Sequence, residues 1–177
     1  MPPPFKVELS PHDPQWASSA ANEGWALAAV MTSCLLKVHH VGSTAIPGIR
    51  AKPVLDLIPV VASLAELDGR RPKIEALGYE WWRELGLPCR RYCTKTDRET
   101  GRRLVQLHCY AEGSPEITRH LAFRDYLREH PDVARAYARE KARCQALHPD
   151  DSHAYGDCKQ GWIKKVEADA LAHYSIE

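Results

Sequence analysis

The chain has no long apolar segment, no large excess of charge of either sign and no cysteines at CxxC spacing. No apolar run approaches the roughly 20 residues that cross a membrane, and the first residues lack the apolar core of a signal peptide. We therefore expect a cytoplasmic protein without membrane contact. A formal net charge of +1 argues against general binding of nucleic acid, although it leaves room for a local basic groove.

The six cysteines are scattered, at positions 34, 89, 93, 109, 144 and 158. In a cytosolic chain of this size, free buried thiols are the expected state of such residues. The alternative is a zinc site, for which Cys89, Cys93, Cys109 and His108 are the available ligands.

The 177 residues, 44% of them apolar, contain no internal repeat or low-complexity segment, and they suffice for one domain. Hydrophobic periodicity and turn residues predict strands over 5–9, 35–41, 53–61 and 79–83, and a hairpin of strands 90–95 and 102–110. They predict helices over 14–33 and 63–77, the second interrupted near Gly69 and Pro72. Three further helices are expected to begin at Ser114, at His130 and near Pro149.

The order of these elements predicts an α+β fold in two parts. Residues 1–113 form a mixed α/β half, and residues 114–177 form a helical tail. The junction is short and does not resemble a linker, so we expect the tail to pack on the sheet in a single compact unit. Lys141 and Lys159 of the tail are expected to be solvated.

Residues 40–58 carry the strongest functional signal, because they join a Gly-Ser turn to an apolar strand that contains an acid. Glycine lets a backbone approach a phosphate closely, and the segment Gly42, Ser43 and Thr44 offers donors there. Asp56 lies among aliphatic residues, where a carboxylate has little reason to be unless it has a task. Lys52 lies between the two and is placed to contact a phosphate or carboxylate. The alternatives are a tight turn, a structural acid and a surface lysine.

The order of a strand, a Gly-Ser turn, a strand with an acid and a later hairpin resembles the nucleotidyltransferase fold of the DNA polymerase β superfamily. In that fold a second acid follows two residues after the first, and a third comes from a neighbouring strand. Together they hold two metal ions that position a nucleoside triphosphate. This chain has Ile58 where the second acid is expected. The resemblance therefore implies the fold and a nucleotide pocket, with fewer metal ligands.

A closer resemblance is to the GrpB family of small bacterial proteins. The segments that carry it are residues 40–48 with 51–56, the helical motif at 120–131, residues 86–91 and residues 150–159. It covers nearly the whole chain and implies a nucleotidyltransferase-like mixed sheet with flanking helices and a carboxy-terminal helical tail. The family's activity is generally unassigned, so the resemblance implies a pocket more firmly than a reaction.

The strand at 102–110 carries Gln106 and His108, which share a face because side chains alternate along a strand. If this strand neighbours the one that bears Asp56, His108 faces the same side as that acid. Asp56 and His108 could then hold a divalent metal, either magnesium or manganese or one softer ion. They could also act without metal as a base and proton shuttle. Glu84 is a candidate for the missing carboxylate.

Further cationic residues could complete an anion site. Arg90 and Arg91 alternate across a strand, so only one of them is expected to face the pocket, where a guanidinium suits an anion. His120 and Arg124 lie one turn apart on a helix. They either form a wall of the pocket or belong, with Asp125, to a charge network that docks the tail.

Three functions remain open from the sequence. The first is an enzyme that acts on a nucleotide or another phosphorylated or anionic small molecule, with transferase chemistry. The second is a degenerate fold that binds such a metabolite without reaction, which the missing second acid favours. The third is an acid–base or condensing enzyme that uses His108 and Asp56.

Overall fold

A mixed five-stranded sheet forms the centre of the computed structural model, which describes residues 2–174. The strands are β1 (Leu35–Val41), β2 (Leu55–Val61), β3 (Tyr79–Trp81), β4 (Arg91–Thr96) and β5 (Arg103–Ala111). Their order across the sheet is β1-β2-β5-β4-β3. The neighbours β2 and β5 are parallel, with Asp56 in register with Gln106, and the other pairs are antiparallel.

Residues 2–174 also contain five α-helices: α1 (Gln15–Met31), α2 (Leu64–Ala76), α3 (Pro115–Glu129), α4 (Pro131–Leu147) and α5 (Ser152–His173). Proline occupies the first position of α3 and α4, where no helical hydrogen bond is lost. The Asp151 carboxylate caps α5 by accepting hydrogen bonds from the amides of His153 and Ala154. The predicted α+β class is confirmed. None of these helices combines the length and the apolarity needed to cross a membrane.

Strand alternation gives the sheet two different faces. One face, which includes Leu57 of β2 and Leu107 of β5, packs against α1 and α2 in the main hydrophobic core. The opposite face carries Ile58, and its apolar part packs against Ile117 and Leu121 of α3. Asp56 is two residues from Ile58 and therefore also lies on this second face.

The loop after β1 connects the helical tail to the α/β half. Ile46 and Ile49 of that loop are buried against Phe123, Leu127 and Tyr137 of α3 and α4. Burial of a large apolar side chain contributes about 1.5–3 kcal/mol. The parts predicted as residues 1–113 and 114–177 thus share a core within the described portion of the chain.

The predicted strand over residues 5–9 is not formed. Val7 and Leu9 point inward, as their alternation indicates, and they are buried beside Cys144. The Val7 amide, however, donates to the Pro149 carbonyl at 2.7 Å, so the backbone bonds to the tail and not to a strand. Alternation identifies the buried side chains here, but the partner is a connection between helices.

Helix α2 runs without interruption through Gly69 and Pro72, contrary to the predicted break. Proline at this position removes one backbone hydrogen bond. The burial of Leu67 and Ile74 in the main core outweighs that loss.

Two cysteines depart from the prediction of free thiols. Cys144 of α4 and Cys158 of α5 form a disulfide, which no spacing in the sequence indicates because tertiary packing brings the two helices together. Cys89 is free but exposed, contrary to the prediction of a buried thiol, whereas Cys93 and Cys109 are free and buried, as predicted. Cys93 and Cys109 lie in the main core, on the face of the sheet opposite His108, so the alternative zinc site cannot form.

Candidate functional site

A left-handed backbone at Gly42 brings the turn after β1 against Asp56. Gly42 has a φ of +69°, a conformation that favours glycine. A β-carbon at this position would lie 2.9 Å from Asp56 Cβ and 3.0 Å from its Cγ, which is closer than unstrained atoms pack. The glycine of the Gly-Ser turn is therefore required by the side chain that it contacts.

The Asp56 side chain is 30% exposed and lies beside His108 of β5, with 3.7 Å between Oδ1 and the histidine Nε2. The expectation that these two residues face the same side is confirmed. Burial alone raises the pKa of Asp56, but the His108 side chain and then Lys52 and Lys159 lower it below its ordinary value. Asp56 is thus a carboxylate at neutral pH.

Two lysines line the same cleft as Asp56. Lys159 Nζ lies 4.1 Å from the centre of the Tyr155 ring, and Lys52 Nζ lies 5.2 Å from the centre of the same ring. Burial, followed by the charge of Lys159, lowers the pKa of Lys52 to about 8. Burial also lowers the pKa of Lys159 to about 8, although Asp56 opposes the change. Both lysines are mostly protonated at pH 7. Their two positive charges therefore exceed the single negative charge of Asp56.

A third lysine lies near this pair. Lys141 of α4 is 1% exposed, its ammonium group donates to the Arg50 carbonyl, and its Nζ lies 4.8 Å from the centre of the Tyr137 ring. Burial, followed by the charges of Lys159 and Lys52, lowers its pKa to about 7. The expectation of a solvated side chain is wrong for Lys141, which is buried. It is only partly met for Lys159, which is half-buried at the cleft.

The cleft has a volume of about 170 Å³ and adjoins a larger groove. It is lined by Gly42, Ser43, Lys52, Val54, Asp56, Gln106, Tyr137, Tyr155 and Lys159. The groove, of about 410 Å³, shares Lys52 and Val54 with the cleft and extends along Phe5 and residues 100–104 of the β4–β5 hairpin. Lys52 Nζ lies 4.8 Å from the centre of the Phe5 ring, so this lysine stands where the two cavities meet.

The structure brings part of the predicted site to the cleft, namely Gly42, Ser43, Lys52, Asp56 and Gln106. Thr44 is not at the cleft, because its side chain is buried and its hydroxyl lies 2.8 Å from His40 Nε2. Burial lowers the pKa of His40 to about 4, so this histidine is neutral at pH 7. Thr44 thus fastens the turn to β1.

His108 connects the cleft to an aromatic cluster beneath α3. Its ring centre lies 5.8 Å from that of His120 and 5.1 Å from that of Tyr92. Burial, followed by the charge of His108, lowers the pKa of His120 to about 4, and His120 Nδ1 donates to the Glu116 carbonyl at 2.7 Å. His120 is therefore a neutral neighbour of His108 and does not line the cleft. His108 Nδ1 is buried and has no hydrogen-bond partner among residues 2–174.

Glu84 and Arg91 are not at the cleft, and they line a separate surface depression. Arg91 Nε donates to Asp68 of α2 at 2.6 Å, and Glu84 Oε1 accepts a hydrogen bond from the Cys89 amide at 2.9 Å. Arg90 and Arg91 do alternate as predicted, and this sends Arg91 to the face covered by α2. Glu84 therefore does not supply the missing carboxylate.

Arg90 and Arg124 support the fold around the site. The Arg90 guanidinium donates to backbone carbonyls of the loop before β4 and lies 4.9 Å from the centre of the Tyr92 ring. Arg124 donates to the His40 carbonyl at 3.0 Å and pairs with Asp125 at 2.7 Å. Arg124 thus belongs, with Asp125, to the charge network that docks α3, which is one of the two interpretations that the sequence left open.

Tyr137, Tyr155 and Lys159 complete the cleft, and the sequence interpretation gave them no role in it. Tyr155 and Lys159 are four residues apart and so share one face of α5. That spacing, in a segment already matched to the family, is a signal that could have identified them. No sequence signal points to Tyr137, which is positioned by stacking on Trp162 with 5.0 Å between ring centres.

The donors around Asp56 are too few for a metal centre built from protein ligands. The cleft offers the Asp56 carboxylate with the His108 imidazole 3.7 Å away, whereas magnesium requires a near-octahedral set of oxygens. Ile58, where a second acid is expected, is fully buried. Among residues 2–174, the one group of three side chains close enough to share an ion is Glu140 with Cys144 and Cys158, whose sulfurs form the disulfide and so are not free to bind a metal. The residues present therefore do not fit a two-metal site.

Comparison with known sequences identifies relatives of the chain. A family model described as GrpB protein matches residues 6–169. The UPF0157 protein YqkA of Bacillus subtilis (strain 168) is 38% identical over 168 residues, which make up 95% of this chain and 48% of that protein. The chain thus spans about half the length of this relative.

Solved structures that are similar to the chain include a GrpB protein and a poly(U) polymerase. The conserved protein GrpB from Enterococcus faecalis superposes with a TM-score of 0.87 and 36% identity, covering 94% of this chain and 99% of that one. The Cid1 poly(U) polymerase, in its Mg 3′-dATP complex, superposes with a TM-score of 0.55 and 13% identity over 87% of this chain and 49% of that one. The second likeness concerns the fold alone: the chain shares its mixed sheet and flanking helices with about half of that polymerase.

Proposed function

This chain belongs to the GrpB family, and on that basis we propose that it binds a nucleotide or another phosphorylated small molecule in the cleft around Asp56. The observation that carries the proposal is the unbalanced charge of the cleft, where Lys52 and Lys159 accompany one carboxylate. A phosphate brings the negative charge that these ammonium groups lack. The nucleotidyltransferase-like fold supports a nucleotide as the favoured ligand.

The sizes of the two adjoining cavities indicate how the ligand is divided between them. The cleft, at about 170 Å³, is smaller than the roughly 300–1,000 Å³ of typical ligand pockets, whereas the groove, at about 410 Å³, falls within that range. We therefore place the phosphate in the cleft, at Ser43, Lys52 and Lys159. The remainder of the molecule then lies in the groove, along Phe5 and Arg103.

Nucleotidyl transfer is the reaction that we favour for a bound nucleoside triphosphate, because the fold is shared with nucleotidyltransferases. An acceptor hydroxyl attacks the α-phosphorus, pyrophosphate leaves, and the hydroxyl proton passes to a base, for which Asp56 is the candidate. The alternative is a protein that binds the nucleotide without turning it over. The buried Ile58, in place of a second acid, favours that alternative.

A thermal-shift screen with nucleotides, pyrophosphate and phosphate tests the binding, because a ligand of the folded state raises the Tm. At a hundredfold excess over Kd we expect a rise of about 5–10 °C. Lys52→Met should abolish the shift, while Lys164→Met, at an exposed position of α5, should retain it. An undiminished shift in Lys52→Met, or no shift with any phosphorylated compound, contradicts the proposal.

Pyrophosphate release distinguishes a transferase from a binding protein. The protein is incubated with each nucleoside triphosphate and with magnesium or manganese, and pyrophosphate is measured. Release that disappears in Asp56→Ala supports transfer. Binding without release, for all of the triphosphates, identifies the binding protein instead.

A second candidate function is acid–base catalysis by His108, favoured by the 3.7 Å separation of its Nε2 from Asp56 Oδ1. A histidine beside a carboxylate can take up and return a proton. Any activity that uses it should therefore show an inflection in its pH profile. The inflection should vanish in His108→Gln, and a profile unchanged by that substitution excludes this candidate.

A further inference from the structure

We propose that the cleft binds the phosphate of its ligand as a metal-free anion, with the Lys52 and Lys159 ammonium groups supplying the positive charge that metal ions supply in two-metal sites. This mode of binding rests on the proposed function and specifies the form of the ligand. The ligand is a phosphomonoester or a pyrophosphate group that carries no divalent cation.

The two ammonium groups are held on one aromatic ring. Lys159 Nζ lies 4.1 Å and Lys52 Nζ lies 5.2 Å from the centre of the Tyr155 ring, and Tyr155 is 1% exposed. Lys52 precedes β2 and Lys159 belongs to α5, so two distant segments of the chain converge on this ring. A cation–π contact fixes the position of an ammonium group without neutralising its charge. Both charges are therefore available to a ligand.

Negative charge in the cleft is limited to Asp56, which is the only acidic residue among the described residues that line it. The carboxylate is engaged on two sides, because it lies against Gly42 and its Oδ1 is 3.7 Å from His108 Nε2. A magnesium ion requires several oxygen ligands, and it would be repelled by two neighbouring ammonium groups. A phosphate dianion is attracted by both of them.

Neutral donors add to these two cations. Ser43 and Gln106 line the cleft, and their hydroxyl and amide groups can donate to phosphate oxygens. Gln106 is in register with Asp56 on the adjacent parallel strand. An anion above β2 and β5 therefore meets an amide, a hydroxyl and two ammonium groups, which is a complete set of donors without a metal.

Isothermal titration calorimetry with pyrophosphate and with ADP tests the inference, each in EDTA and in magnesium chloride. We expect each Kd in EDTA to be equal to or smaller than the Kd in magnesium chloride, because magnesium forms a complex with either ligand and lowers the concentration of the free anion. Binding that is lost in EDTA and restored by magnesium overturns metal-free binding and leaves the proposed function intact. Binding in neither condition overturns both.

Asp56→Asn provides a second test that distinguishes metal-free binding from binding through magnesium. It removes the negative charge of the side chain and keeps its shape. Metal-free binding predicts that affinity in EDTA increases by about tenfold, since the anion is no longer repelled. A decreased or unchanged affinity contradicts it.

Substitution of the cations provides the matched comparison. Lys159→Met should weaken binding in EDTA by at least about tenfold, and Lys164→Met, also on α5 but exposed, should leave it unchanged. Thermal denaturation without ligand verifies that each variant is folded. Equal affinities in Lys159→Met and Lys164→Met overturn the inference.

Discussion

Gly42 and Asp56 act as a pair, because the carboxylate occupies the space that a side chain at position 42 would fill. The sequence predicted both residues as parts of one site, from the Gly-Ser turn and from the acid in an apolar strand. It did not predict their direct contact. That contact depends on the register of β1 and β2, which places Val41 opposite Asp56, and register is a property of paired strands.

Gly42→Ala is expected to push the Asp56 carboxylate into the cleft, where it competes with phosphate for Lys52 and Lys159. The variant also carries the strain of alanine at a φ of +69°, which costs about 1–3 kcal/mol. Gly48→Ala is the matched control, since Gly48 has a φ of +76° and a β-carbon there meets no atom within 4 Å.

Both glycine variants should be destabilised in urea denaturation, and only Gly42→Ala should lose pyrophosphate binding in calorimetry. An equal loss of binding in the two variants would show that backbone strain, and not contact with the carboxylate, is responsible.

Lys141 shows why one buried side chain could not be inferred from the sequence. Lysine is solvated in most proteins, and neither periodicity nor spacing marks this one as an exception. Its ammonium group donates to the Arg50 carbonyl, 91 positions away in the chain. The carbonyl and the lysine meet only after the tail has folded onto the loop that follows β1.

Among the strands and helices, the sheet half was largely predictable from the sequence. The bounds of β1, β4 and β5 lie within one or two residues of the predicted ones, because alternation and turn residues mark where each strand begins and ends. The starts of α3, α4 and α5 were also predicted, from proline and capping residues. The sequence did not predict which face of each tail helix lines the cleft, because that depends on how the three helices pack on one another.

The disulfide between Cys144 and Cys158 joins α4 to α5, the helices that supply Tyr137 and Lys159 to the cleft. It links residues 14 apart, and closure of a loop of this length contributes about 3 kcal/mol to the free energy of unfolding. Replacement of both cysteines by serine should therefore lower the Tm by about 6–12 °C.

Differential scanning calorimetry with and without a reducing agent measures this effect. Reduced wild-type protein should unfold near the Tm of the double variant, and the variant itself should not respond to the reductant. A wild-type Tm that is insensitive to reduction contradicts the stabilising role of the disulfide.

At the scale of the whole molecule, the partly or fully buried Lys52, Lys141 and Lys159 make the free energy of unfolding depend on pH. The pKa is about 8 for Lys52 and Lys159 and about 7 for Lys141, each below the ordinary lysine value of 10.5. Above pH 7 the unfolded chain therefore binds more protons than the folded chain, and the free energy of unfolding rises with pH. Below pH 7 these lysines are increasingly protonated in both states, so the cost of burying their charge is largely present.

Urea denaturation at pH 7 and at pH 8.5 measures the dependence. The wild-type protein should gain stability at the higher pH, and Lys141→Met should gain less than wild type by about 1.5 kcal/mol. Lys164→Met, which removes an exposed lysine, should gain as much as wild type. Equal gains in wild type and Lys141→Met would assign the effect to other groups.

The residues that line the cleft lie between Gly42 and Lys159 in the sequence. A truncation or gene fusion that ends the chain between these positions separates the residues that line the cleft, so neither fragment carries all of them. We therefore expect natural recombination to join other coding sequences to this one outside residues 42–159. In chimaeras made in the laboratory, exchange of the helical tail alone replaces three of the nine residues that line the cleft, Tyr137, Tyr155 and Lys159.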